Sequence, residues 1–118
     1  YEVLLINKDG FITEGSRSNV FFIHENKVIT APSKEVLNGI TRKHIVNICT
    51  TNKISLFEHK VHQSDISKMD SLFLTGTSIK VLPVKNIGKN EFNPDHEVLR
   101  KIMELYDQAR SNYLFSKT

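Results

Sequence analysis

Residues 3–30 read VLLINKDGFITEGSRSNVFFIHENKVIT, and the fold turns on how this stretch is divided. Residues 3–6 form a short apolar run, followed by Asn7-Lys8-Asp9-Gly10. Asp-Gly after an apolar run signals a hairpin, because such turns need residues that accept positive φ. Residues 11–13 resume the extended chain. Residues 19–24 (NVFFIH) are rich in β-formers, Glu25-Asn26 reads as a second turn, and residues 27–30 read as the returning strand. The spacing predicts an antiparallel meander over residues 1–30.

Working outward, residues 31–39 carry Pro32 and Gly39 and read as a loop. In residues 40–52 (ITRKHIVNICTTN) the apolar positions Ile40, Ile45, Ile48 and Cys49 do not alternate, which predicts a helix. Residues 54–61 (ISLFEHKV) alternate as a strand, and residues 63–68 form a short polar helix or turn. Residues 71–75 are a further strand leading to Gly76. Residues 80–87 are extended, and Pro83 puts them at an edge or bulge, since proline cannot donate to a ladder. Asn93 is expected to cap a final helix with Pro94 at its first position. Val98, Leu99, Ile102, Met103, Leu105, Tyr106, Ala109 and Tyr113 make one stripe along it, as packing on a sheet requires. The expected class is α+β: one domain over residues 1–118, largely antiparallel, with two main helices.

With 118 residues the chain has room for one real core. The net charge is +3, but the sixteen Lys and Arg residues are scattered. Nucleic-acid binding calls for a clustered basic footprint, so no nucleic-acid partner is expected. No apolar run is long enough for a membrane span, and no signal-peptide pattern is present. The single cysteine, Cys49, excludes an internal disulfide and reads as a small buried hydrophobe. A cytoplasmic location fits. A chain that starts at Tyr1 and soon enters an apolar run is expected to be a piece of a longer protein.

Three loop segments mix glycine with hydroxyl or amide side chains: residues 13–19 (TEGSRSN), 37–42 (LNGITR) and 75–78 (TGTS). Gly39 stands where a helix begins. The first N–H groups of a helix lack internal partners and attract a phosphate or carboxylate, and Thr41 adds a hydroxyl at that end. Thr75-Gly76-Thr77-Ser78 offers three hydroxyls and a glycine that lets a ligand approach the backbone. Ordinary turn and cap chemistry uses the same residues, so both readings stand. Glu14 lies in a region otherwise committed to strands, either as a solvated edge residue or as a carboxylate held to accept a charged hydrogen bond.

Three ordered segments, INKDGFITEGSRSNVFFI (6–23), VITAPSKEVLNGITR (28–42) and FEHKVHQSDISKMDSLFLTGTSIKVLPV (57–84), resemble the large, C-terminal domain of class IV (fold type IV) pyridoxal-phosphate enzymes. That group includes branched-chain and D-amino-acid aminotransferases and aminodeoxychorismate lyases. The resemblance implies a largely antiparallel pseudo-barrel and pyridoxal 5'-phosphate as cofactor. It implies that Glu14 bonds the pyridine nitrogen and Leu37 packs on the ring. Gly39, Ile40, Thr41 and Thr77 bind the phosphate, and the Thr77 and Ser78 amides bind the substrate carboxylate. Asn19 and Arg42 match frequent family residues and read as structural. The implied small-molecule partners are an amino acid and a keto acid, and the implied assembly is a homodimer.

The family's Schiff-base lysine lies upstream of the Glu-Gly motif. Here only Lys8 precedes Glu14, and it sits at a variable turn position. The resemblance therefore puts the catalytic lysine before Tyr1, with no cofactor bound covalently to this chain and no turnover by the chain alone. No metal site is implied. Met69-Asp70-Ser71 replaces the common Ala-Asp-Glu, and Ile79-Lys80 replaces an acidic pattern usual in branched-chain enzymes, which leaves the substrate open. The implied activity is transamination of a branched-chain or D-amino acid. The alternatives are aminodeoxychorismate lyase activity, or a non-catalytic anion- or partner-binding module.

Overall fold

The structure is a computed structural model. It describes residues 4–6, 10–15, 19–32, 40–76 and 80–116, with backbone alone for residues 4–6, 11, 13–15, 40, 80 and 110–116. Strand β1 (Leu4–Ile6) pairs antiparallel with β2 (Phe11–Gly15), with a bulge between Leu5 and Ile6. Strand β3 (Asn19–His24) pairs antiparallel with β4 (Lys27–Thr30). Glu25 and Asn26 both adopt positive φ, 50° and 66°, which suits the tight two-residue turn whose twist matches the flanking strands. Gly10 has φ 88°, and a Cβ there would collide with the His62 ring, so the expected turn glycine is required for space as well as conformation. Asp9 lies outside the described residues.

The predicted meander is corrected in one respect. The two pairs belong to different sheets: β1 and β2 join β6 (Val61–His62) in order β1-β2-β6. The larger sheet has order β5-β4-β3-β7-β8, with β5 at Leu56–Glu58, β7 at Ser71–Gly76 and β8 at Lys80–Pro83. The single strand expected over residues 54–61 is therefore two short strands in two sheets. Furthermore, β5 runs parallel to β4, because helix α1 (Ile40–Thr51) intervenes and returns the chain in the same direction. Pro83 sits on the edge strand β8, as its missing N–H demands. A small ribbon of β9 (Asn86–Ile87) and β10 (Asn90–Glu91) was not expected from the sequence. The described strands do not close into a barrel.

Residues 63–68 form a short 3-10 helix, Gln63–Lys68, capped by His62, whose ring accepts from the Ser64 N–H. Helix α2 (Glu97–Ser116) starts three residues beyond the expected Pro94. Asn93 caps a local turn, accepting from Asp95 N–H at 2.9 Å. His96 is the true cap: its ring accepts from Val98 N–H at 3.1 Å, and its carbonyl accepts the first helical bond from Arg100. Of the expected stripe, Leu99, Ile102 and Tyr106 are buried and Ala109 is exposed. The side chain of Tyr113 lies outside the described residues.

The large sheet separates two cores. On one face Phe21, Ile23, Val28 and Phe73 pack with Ile45, Ile48 and Cys49 of α1 and Leu99, Ile102 and Tyr106 of α2. On the other, Val20, Phe22, Leu72 and Leu74 pack with Ile12, Val61, Ile66 and Phe92. The alternation is that of a strand, but both faces are apolar because both are covered. Phe21 and Phe73 stack with ring centroids 5.0 Å apart. Cys49 is fully buried, and burial pushes its thiol up to about 11.

Phe73→Ala is expected to cost about 3–5 kcal/mol in urea unfolding, whereas Phe57→Ala on the half-exposed edge costs about 0.5 kcal/mol or less. Equal losses would contradict the placement of the core. The Cys49 thiol ionises near 9.0 when unfolded and near 11 when folded, so the unfolded chain releases its proton first as pH rises. Stability is then full below about pH 9 and falls towards about pH 11. Cys49→Ala should flatten this difference in denaturation midpoints measured at the two pH values.

Candidate functional site

The corner where α1 begins beside the end of β7 brings two of the three loop segments together. Thr41, in the first turn of α1, is 7% exposed, and its hydroxyl donates to the Gly76 carbonyl at 3.4 Å. This contact joins residues far apart in sequence, and it places the start of α1 against the exit of β7. The first turn of α1 contains no acidic residue, whereas Arg42 and Lys43 are basic. Cations at the positive end of a helix dipole are unfavourable unless an anion offsets them.

Thr75 stands one residue before Gly76 and pairs across the sheet with Asn19 and Val81. It is fully buried, and its hydroxyl has no hydrogen-bond partner among the described residues. An unsatisfied buried hydroxyl costs about 1–3 kcal/mol. The start of a helix offers N–H groups that suit a phosphate-bearing group, and among the described residues the first turn of α1 carries no acid to repel one.

Glu14 lies on β2, opposite Leu5 of β1, on the central strand of the small sheet. Only its backbone is described. Ile40 is the first residue of α1. Lys8, Leu37, Gly39, Thr77 and Ser78 lie outside the described residues. The described structure therefore brings Thr41 to Gly76 and sets Glu14 on a neighbouring sheet.

Arg42 is more deeply placed than a structural surface residue would be. It is 4% exposed, donates to the Ala31 carbonyl at 2.8 Å and reaches the Glu58 carboxylate at 3.4 Å. Neither its burial nor the involvement of Glu58 is legible in the sequence, where both are charged residues in polar surroundings. The absence of an acid from a basic first helical turn was the available signal. Among the described residues, no three His, Cys, Asp or Glu side chains gather as a metal site would require, and no helix is long and apolar enough to cross a membrane.

The sequence profile of the amino-transferase class IV family matches residues 1–87. The chain is 32% identical over 115 residues to a probable branched-chain-amino-acid aminotransferase of Aquifex aeolicus, an alignment taking in 92% of this chain and 36% of the relative. It is 36% identical over 88 residues to a D-alanine aminotransferase of Bacillus licheniformis, covering 74% of this chain and 31% of that one. The chain thus spans about a third of the length of these curated relatives. Its fold matches the PLP form of a branched-chain amino acid aminotransferase from Thermobaculum terrenum with TM-score 0.85 at 25% identity, covering 92% of this chain and 36% of that one. It also matches a putative 4-amino-4-deoxychorismate lyase from Legionella pneumophila with TM-score 0.86 at 27% identity, covering 91% and 40%. The profile match takes in both the Glu14 strand and the α1–β7 corner, and the chain belongs to the class IV aminotransferase family.

Proposed function

We propose that this chain is the cofactor-binding part of a pyridoxal-phosphate aminotransferase that acts on a branched-chain or D-amino acid and returns the amino group to a keto acid. The observation that carries the reading is the α1–β7 corner: a helix start whose first turn carries no acid, joined to the end of β7 by the hydrogen bond from the Thr41 hydroxyl to the Gly76 carbonyl. In this reading the helix N–H groups from Gly39 to Thr41 hold the phosphate, with Thr41 and Thr77 adding hydroxyls. Leu37 covers a ring face and excludes water. The Thr77 and Ser78 amides orient the substrate carboxylate. The Glu14 carboxylate holds a proton on the pyridine nitrogen by a charge-assisted hydrogen bond. When bound, the cofactor supplies the electron sink that lets the substrate Cα lose its proton.

The Schiff-base lysine belongs, in this proposal, to a part of the enzyme outside this sequence. In support, the only lysine before Glu14 is Lys8, at a variable turn position of the family pattern. The chain alone is then inactive. A cytoplasmic homodimer is the accompanying proposal for the whole enzyme, and light scattering of the full-length protein tests the dimer. The lyase is the second reading, favoured by the fold match to the Legionella protein.

The cofactor spectrum and the acceptor requirement test the proposal. The full-length enzyme is expected to show a visible cofactor band that shifts on adding a branched-chain or D-amino acid, with continued turnover only when a keto acid is supplied. Absence of a cofactor band sinks the proposal, and pyruvate release from aminodeoxychorismate without an acceptor selects the lyase. Without cofactor, Thr75→Val should leave stability unchanged or higher, because it removes a buried hydroxyl that has no partner among the described residues. The comparable Thr30→Val should cost about 0.5–1.5 kcal/mol, since the Thr30 hydroxyl donates to the Val20 carbonyl at 2.8 Å.

A further inference from the structure

We infer that Arg42 is a positioning residue for the phosphate end of the site, acting as a clasp across the base of the segment that leads into α1; this rests on the reading of the α1 start as the phosphate cradle. Ala31 is the residue at which the chain leaves β4, and Arg42 lies in the first turn of α1, where it returns. The Nη2 atom of Arg42 donates to the Ala31 carbonyl at 2.8 Å, and so ties the departure of this segment to its return. The same nitrogen lies 3.4 Å from the Glu58 carboxylate on β5, the strand beside β4. The start of α1 is therefore pinned to the β4–β5 edge through Arg42 and to the end of β7 through Thr41 and the Gly76 carbonyl.

The energetics favour a role in geometry over one in stability. A guanidinium only 4% exposed has lost most of its hydration, and the Glu58 carboxylate that it meets is half-exposed at 47%. Buried ion pairs of this kind add little net stability over an apolar replacement. The guanidinium also lies near the positive end of α1, where a cation is unfavoured. What the arrangement does supply is a planar donor group with a fixed direction, which an ammonium cannot reproduce. Adjacent in sequence, Thr41 inherits that placement. An anion cradle made of helix N–H groups loses affinity when its donors shift by fractions of an ångström, whereas contacts to a flat ring tolerate such shifts better.

The full-length enzyme carrying Arg42→Lys, Arg42→Met, Glu58→Gln or Thr41→Val tests this by titration of the cofactor-free protein with pyridoxal phosphate and, separately, with pyridoxal, which lacks the phosphate. Both Arg42 variants are expected to weaken pyridoxal phosphate about tenfold or more while pyridoxal changes less than about twofold, a selectivity that a general loss of folding does not produce. Arg42→Lys retains the charge, so wild-type affinity in that variant with a loss in Arg42→Met overturns the clasp in favour of charge alone. Equal losses for both ligands also overturn it. Glu58→Gln alters a half-exposed partner and keeps the test open if the Arg42 variants do not fold: a smaller loss confined to pyridoxal phosphate supports the clasp, and no selective loss overturns it. Thr41→Val separates this inference from the reading beneath it. Selective loss in Thr41→Val without any in the Arg42 variants removes only the clasp, and no selectivity in Thr41→Val removes the phosphate cradle itself.

Discussion

The pairing of β3 with β7 is the constraint on which the remaining structure depends. These strands run antiparallel in the middle of the large sheet, from Asn19 opposite Thr75 to Ile23 opposite Ser71. Both are buried along nearly their whole length. Their alternate side chains feed two separate cores, one under the helices and one under the small sheet. A slip of one residue would exchange every side chain between those cores and break the Phe21–Phe73 stack, so the register is strongly specified.

That register places the α1–β7 corner. With Thr75 and Gly76 at the end of β7, the start of α1 docks there through the bond from Thr41 to Gly76. The corner therefore lies at the end of a central strand of the large sheet. The costs are local. Thr75 buries a hydroxyl without a partner among the described residues, and α1 begins with basic residues instead of acids.

Arg42 shows a comparable exchange of stability for geometry. An apolar residue could fill its space, and the desolvation of a guanidinium would be avoided. Instead the chain keeps a directional donor between Ala31 and Glu58. The contrast with Cys49 is instructive. Cys49 is equally buried in α1, but it stays neutral, with its thiol pushed up by desolvation, and behaves as a small apolar side chain.

Much of the architecture was legible in local sequence, because local physics decides it. The β3–β4 hairpin follows from β-formers flanking a turn that takes positive φ, α1 from apolar spacing, and the edge position of β8 from Pro83. The ordered motifs also gave Glu14, Thr41 and the 75–78 segment as the proposed chemistry-bearing positions, of which the structure joins Thr41 to Gly76. Strand partnership was not legible. The first two pairs separate into two sheets, residues 54–61 split between them, and β5 turns parallel, because long-range packing and not local propensity selects a strand's neighbour. The start of α2 shifted to Glu97 because the His96 ring supplied the cap that Asn93 spent on its own turn. Residue types and spacing therefore determined which elements form and which side chains could meet an anion. Only the tertiary structure decided that Thr41 meets Gly76 and that Arg42 is buried against Ala31, since burial and contact between distant residues exist only once the sheets and helices have packed.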